Sequence, residues 1–227
     1  MRISEIFESI QGEGRFAGER SVFIRTTGCN LRCWFCDTPY TSWSPEGVLQ
    51  TWESVRDRVL ETDVEHVVLT GGEPLLQPEV VDLTGVLRAA GRFVTVETAG
   101  TVYRPVAADL MSISPKLGNS TPGPEAGLWR SRHDANRERD AVVRRLLHES
   151  PYQLKFVVDR PADFDEIEAW LARFPEISAD AVWLMPQSRT PEEYESRLAW
   201  IRPEAERRGW RVSRRMHIEL FGNVRGR

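Results

Sequence analysis

Cys29, Cys33 and Cys36 are the only cysteines in the 227-residue chain, and they share one short run, Gly28-Cys29-Asn30-Leu31-Arg32-Cys33-Trp34-Phe35-Cys36-Asp37-Thr38. One disulfide would leave an odd thiol without a partner, so the grouping predicts metal ligation in a reducing compartment. Thiolates are soft donors that suit zinc, copper or iron–sulfur clusters. Three of them in one loop can hold three corners of a [4Fe–4S] cubane and leave one iron open to a non-protein ligand. A cluster that only carries electrons usually has four protein thiolates. Structural zinc competes, because a fourth ligand could come from His66, His133, His148, His217 or a carboxylate. No second compact ligand pair accompanies the cysteines, which favours the cluster.

A second candidate lies at Gly71-Gly72-Glu73-Pro74. Its glycines permit close backbone approach, and Glu73 can accept hydrogen bonds from an ammonium group. Alone it could be an ordinary turn. Glu97-Thr98-Ala99-Gly100, Ser112-Ile113-Ser114 and Met185-Pro186-Gln187 are further polar or small-residue stretches that end apolar segments.

The elements that must carry these motifs are legible from periodicity. Short apolar segments at Ser21–Thr27, His66–Thr70, Phe93–Thr98, Leu110–Ser114, Gln153–Val158 and Ala181–Met185 predict strands. Their near-continuous hydrophobicity suits a parallel sheet covered on both faces. Helical patterns fill the intervals at Trp52–Glu61, Glu79–Ala90, Asp134–Glu149 and Ala162–Phe174. Thr190-Pro191-Glu192-Glu193 starts another helix with a cap, a first-turn proline and a capping-box acid. Pro203 is expected to kink or interrupt that helix before Gly209 ends it. The closing RMHIELF reads as strand-like.

Strands alternating with helices predict an α/β fold, and both a Rossmann sheet and a partial (β/α) barrel with parallel strands fit the periodicity. No Gly-x-Gly-x-x-Gly follows an early strand. In either fold ligands sit beyond the carboxyl ends of the strands, and the cysteines, GGEP, ETAG, SPK and MPQ all fall there. They should converge on one rim.

The length suits one domain over residues 1–227, and 41% hydrophobic with 28% charged residues marks a folded globular chain. A net charge of -4 gives no global pull toward nucleic acid or an anionic membrane. Arginines do gather late, at Arg207, Arg208, Arg211, Arg214, Arg215, Arg225 and Arg227, as a solvated basic face or a pocket for an anionic group. No apolar run is long enough to span a bilayer, and MRISEIFESIQGEG is polar too early for a secretion signal, so a cytoplasmic setting is expected.

Cys-x-x-x-Cys-x-aromatic-Cys after a first strand, with GGEP after the next, resembles the signature of the radical S-adenosylmethionine superfamily. Within it the chain is similar to the 7-carboxy-7-deazaguanine synthase family. The likeness runs through ESIQGEG at residues 8–14, Gly18, Phe23-Ile24-Arg25, GCNL, Cys36-Asp37-Thr38, GGEPLLQ, VETAG, Ser114-Pro115-Lys116, QLKFVV, MPQ and His217. SIQGEG together with CDT discriminates most, because several activating-enzyme families share an early glycine-rich segment and the three cysteines.

The resemblance implies a partial barrel of the radical S-adenosylmethionine type. It implies a [4Fe–4S] cluster on Cys29, Cys33 and Cys36, and S-adenosylmethionine beside Gly71, Gly72, Glu73, Glu97, Ser112 and Ser114. It further implies Mg2+ at Thr38, and 6-carboxy-5,6,7,8-tetrahydropterin met by Gln11, Gly12, Glu13, Gly14, Arg25, Lys116 and His217. Reductive cleavage of the cofactor would yield a 5′-deoxyadenosyl radical that takes hydrogen from C6 of the pterin, followed by ring contraction and loss of ammonia. A reducing donor such as flavodoxin and a homodimer come with the family.

Blander readings stand beside these. Arg25 could pair with Asp37 or Glu73, Glu13 could be a solvated turn residue, Lys116 could face solvent, and His217 could be packed in a strand. Competing functions are a glycyl-radical-enzyme activase, a zinc-binding structural or adaptor protein, and an electron-transfer module. If the cluster reading holds, Cys33→Ala should abolish cluster-dependent turnover while leaving folded protein by circular dichroism; normal turnover would overturn the ligand assignment.

Overall fold

The computed structural model describes residues 1–222 and 224–226, so Arg227 of the late arginine group lies outside the described residues. In chain order the elements are β1 (Arg2–Ile10), β2 (Arg20–Thr26), α1 (Pro39–Ser42), β3 (Val48–Leu49), α2 (Trp52–Leu60), β4 (His66–Gly71), α3 (Val80–Ala89), β5 (Phe93–Thr98) and β6 (Leu110–Ile113). They continue with α4 (Leu128–Arg137), α5 (Asp140–Glu149), β7 (Tyr152–Val158), α6 (Asp163–Leu171), β8 (Val182–Pro186), α7 (Pro191–Arg208), β9 (Arg211–Val212) and α8 (Met216–Phe221). Among the described residues one sheet runs in the order β3-β1-β2-β4-β5-β6-β7-β8-β9. From β2 onward each neighbouring pair is parallel, while β1 runs antiparallel to both β2 and β3. The sheet does not close, which makes it a partial barrel.

Each parallel strand has two unlike faces. Val22 and Ile24 of β2, Val67 and Leu69 of β4, Val94 and Val96 of β5, Met111 and Ile113 of β6, and Leu154, Phe156 and Val158 of β7 join one core with the helices. The helices contribute Val55 and Val59, Leu83 and Leu87, Val143 and Leu146, Phe164 and Ile167, and Ile201. Successive side chains of a strand point to opposite faces. The intervening residues Arg25, Thr70, Glu97, Ser112, Lys155 and Val157 therefore line the inner face. Both faces are covered, but differently: one packs on the helices, and the other lines the cavity with polar side chains set among Phe23 and Val157.

Three corrections concern elements. The expected helix Asp134–Glu149 is two helices, with Glu138 and Arg139 in extended or irregular backbone between them. His133 must reach back to the cysteine loop while Val143, Leu146 and Leu147 face the sheet, and one straight helix cannot do both. Pro203 sits inside α7 without ending it. Both Pro203 and Ala199, whose carbonyl loses its helical donor, are exposed, so water can satisfy that carbonyl. The strand-like RMHIELF is helical instead, as α8.

Phe156 is completely buried and meets Trp170 edge to face at 5.3 Å. Phe156→Ala should destabilise the fold by about 3–5 kcal/mol, measured from urea unfolding of wild type and variant.

Candidate active site

The strand ends build a cavity of about 590 Å³. The cysteine loop follows β2, Gly71 and Gly72 close β4, Glu97 ends β5, Ser112 and Ser114 close β6, and Gln187 follows β8. The motifs thus converge on one rim, as the sequence predicts.

Cys33 is buried while Cys29 and Cys36 are half-buried, and all three line the cavity. Leu31, Phe35, Val157 and Met185 pack round them as an apolar cluster separate from the main core. Burial pushes the Cys29 and Cys33 thiols up to about 12, because a thiolate there loses its hydration. Among the described residues no three His, Cys, Asp or Glu side chains converge on a single ion. Three soft thiols on one cavity wall are the donor set that would hold three irons of one cluster.

α4 clamps the loop from outside. The Arg32 amide donates to His133 Nδ1 at 3.1 Å, and Asn136 Nδ2 donates to the Asn30 carbonyl at 3.2 Å. The Arg32 guanidinium stacks 3.7 Å from the Trp129 ring centroid and donates to the Cys29 and Leu31 carbonyls at 2.8 and 2.7 Å. Burial lowers the His133 pKa to about 4, so the ring is neutral. With Nδ1 accepting, its proton sits on Nε2, facing Ser120 Oγ at 2.9 Å.

The GGEP glycines serve the protein backbone first. A Cβ on Gly72 would lie 2.2 Å from the Gly28 carbonyl oxygen, and one on Gly71 would lie 2.2 Å from that of Thr26. Glu73 does not line the cavity: its carboxylate is buried and accepts from Thr98 Oγ1, the Ala99 amide and the Leu75 amide at 2.9 to 3.1 Å. Burial raises its pKa. The side chain expected to meet an ammonium group instead ties the GGEP turn to the ETAG loop.

Opposite the thiols the wall is charged. Glu13 Oε2 accepts from Lys155 Nζ, while Glu13 Oε1 lies 3.5 Å from Arg215 Nε and 3.9 Å from His217 Nε2. Burial alone would raise the Glu13 pKa, but Lys155, Arg215 and His217 hold its carboxyl well below the usual range. For Lys155 burial opposes the charge, and Glu13 and Glu97 more than restore it. Burial lowers the His217 pKa. Arg215 also reaches Asp37 at 2.5 Å and the Ser188 carbonyl.

Gln11 Nε2 donates to Glu97 at 3.1 Å, and Thr70 Oγ1 donates to the same carboxylate at 2.8 Å. Arg25 pairs through Nε with Glu5 at 2.6 Å, not with Asp37 or Glu73. Lys116 Nζ donates to the Ser114 carbonyl at 2.9 Å and its hydroxyl at 2.5 Å, and burial lowers its pKa. Thr38 Oγ1 lies 3.1 Å from Thr41 Oγ1 and 3.9 Å from Cys36 Sγ. Gly12 lies against the His217 ring on α8.

The residues assigned from the sequence to cluster, cofactor, Mg2+ and substrate all line the cavity except Gly14 and Glu73; His66, His133 and His148, weighed as zinc ligands, do not. Gly14 donates its amide to Ser213 Oγ at 3.0 Å, with a φ of 69° that favours glycine. Tyr40 was not singled out, and Lys155, Asp37, Gln187 and Arg215 were named only inside longer motifs or the late arginine group, without a role of their own; all five line the cavity. Lys155 left one signal, a lone charge inside QLKFVV; Arg215 was hidden among other arginines.

Comparison with known proteins agrees with this geometry. A family model described as the radical SAM superfamily matches residues 23–121. The chain is 49% identical over 226 residues to the 7-carboxy-7-deazaguanine synthase of Rhodopirellula baltica, covering 99% of this chain and 88% of that protein. It is 43% identical to the enzyme of the same name from Halobacterium salinarum, covering 98% and 91%. The fold matches the crystal structure of QueE from Escherichia coli with a TM-score of 0.69 and 25% identity, covering 93% of this chain and 92% of that one.

The buried thiols give a direct check. In the metal-free chain, alkylation of Cys29 by iodoacetamide, followed by peptide mapping, should still accelerate at about pH 10, where a free cysteine of pKa about 8.5 has levelled off. A plateau near pH 9 would contradict the desolvated environment.

Proposed function

The chain belongs to the 7-carboxy-7-deazaguanine synthase family of the radical S-adenosylmethionine superfamily, and from that premise we propose that it converts 6-carboxy-5,6,7,8-tetrahydropterin to 7-carboxy-7-deazaguanine with loss of ammonia. It is a radical S-adenosylmethionine lyase whose cofactors are a [4Fe–4S] cluster and S-adenosylmethionine. The observation that carries this reading is the meeting of three thiols and an enclosed charged wall in one cavity.

Cys29, Cys33 and Cys36 would hold the cluster, and Gly71, Gly72, Glu97, Ser112 and Ser114 would flank S-adenosylmethionine. Glu73 would act through the turn it braces. When bound, the pair supplies one-electron chemistry that ends in hydrogen abstraction at carbon. The chain's own contribution is to exclude water and fix the pterin. The apolar cluster of Leu31, Phe35, Val157 and Met185 dries the thiol side. Gln11, Glu13 and the backbone of Gly12 present acceptors and donors to the pterin ring, with His217 packed behind Gly12. Gly14 serves by shaping that loop. Arg25 and Lys116 would bring positive charge to the substrate carboxylate, Arg25 through its Nη pair while Nε stays on Glu5. Thr38 would place its hydroxyl on Mg2+, with substrate oxygens and water completing an oxygen shell.

Among the described residues no helix is long and apolar enough to cross a membrane. A cytoplasmic setting, a small reducing protein such as flavodoxin as electron source, a homodimer and a single domain over residues 1–227 complete the proposal, and the family resemblance supports them. No observation favours the activase or zinc-adaptor alternatives.

Anaerobically reconstituted protein given reductant, S-adenosylmethionine and the tetrahydropterin should release 7-carboxy-7-deazaguanine, seen by mass spectrometry; fully clustered protein that makes none would overturn the proposal. Arg25→Ala should weaken pterin binding about 10- to 100-fold and change S-adenosylmethionine affinity much less. Unchanged pterin affinity would remove Arg25 from the substrate site.

A further inference from the structure

Lys155 has no role in the reading above, although its side chain is only 8% exposed and lines the cavity beside Glu13. The two come from distant parts of the chain, Glu13 from the loop after β1 and Lys155 from the inner face of β7. That loop cannot drift. The Arg15 amide donates to Gln153 Oε1 at 2.9 Å, two residues before Lys155 on the same face, and the Met216 amide donates to the Gly12 carbonyl at 3.0 Å. Arg215 braces the other carboxylate oxygen: it is 2% exposed, and its Nε, 3.5 Å from Glu13 Oε1, is a buried donor without another partner.

A carboxylate has about four lone-pair positions and an ammonium three protons. The Glu13–Lys155 contact uses one of each, so the fixed pair still offers two acceptors and, beside them, a donor. We infer that Lys155 is a specificity-determining residue that, together with Glu13, reads a 2-amino-4-oxopyrimidine edge. Glu13 accepts from the 2-amino group and N3–H, and Lys155 donates to the 4-oxo oxygen. The edge presents donor, donor and acceptor in that order, complementary to the pair. This inference rests on the pterin reading and deepens it. A 4-amino group in place of the 4-oxo would turn a donor toward the ammonium and also strip N3 of the hydrogen that Glu13 accepts, leaving both side chains unmatched in a buried site, a strong basis for rejection.

The test uses holoenzyme loaded with cluster and S-adenosylmethionine, and calorimetric affinities for 6-carboxytetrahydropterin and its 2,4-diamino counterpart. Wild type should prefer the 4-oxo ligand by about 100-fold or more. Lys155→Met and Lys155→Gln should each bind the 4-oxo ligand about 10- to 100-fold more weakly and prefer it over the 2,4-diamino ligand about tenfold less than wild type does, the remaining preference coming from the N3–H that Glu13 reads. Iron and sulfide content and circular dichroism establish that each variant is folded and loaded; if the methionine variant is not, the glutamine variant decides. Undiminished preference in a folded variant, or equal loss for both ligands, would overturn the inference and leave the pterin reading standing. Wild type that binds neither ligand would overturn both.

Discussion

A charge taken out of water needs an opposite charge or several donors beside it, and that constraint organises the inner face of this sheet. Burial works against the charge of Glu13, and Lys155, Arg215 and His217 outweigh it. Lys155, in turn, sits on a central strand where burial works against its charge. The pairing fixes more than two residues. It joins the segment after β1 to β7, and through Arg215 it joins both to Asp37, one position past the last cysteine. The loop after β1 and the cysteine loop are thereby held in one frame.

The opposite wall is ordered by close packing instead of charge. Gly72 lets the GGEP turn lie on Gly28, and Glu73 then closes a buried set of hydrogen bonds to the next loop. His133, Arg32 and Trp129 press the cysteine loop against this turn from outside. The thiols emerge where an apolar cluster meets a polar wall. A site of that kind can keep water from a reactive carbon while holding a polar ring in register.

Much of this was legible in the sequence because the motifs sit where strands end. GGEP, ETAG and SPK are each preceded by a short, largely apolar run, so their convergence followed from parallel-sheet topology. β1 was less visible: the apolar residues of its ISEIFESI stand at 3, 6, 7 and 10, a spacing that suits a helix better than a strand. The polarity of the inner face was also obscured. Gln153 and Lys155 interrupt β7 only at alternate positions, and next to Phe156 and Val157 they read as noise in an apolar run. The contacts of Glu73 were open for a different reason. A carboxylate after two glycines is free to meet a ligand or the next loop, and only the position of Thr98 and Ala99 decides which. The break between α4 and α5 could not be inferred from periodicity, since it comes from two distant surfaces that each demand one side of the chain.

Three cysteine ligands leave one iron of a [4Fe–4S] cluster open to a second molecule. Mössbauer spectroscopy of the anaerobically reconstituted protein, before and after adding S-adenosylmethionine, tests it most directly. The account predicts a [4Fe–4S] spectrum in which one iron site alone changes when the cofactor is added. A spectrum that the cofactor leaves untouched, or a preparation holding zinc without inorganic sulfide, would contradict it.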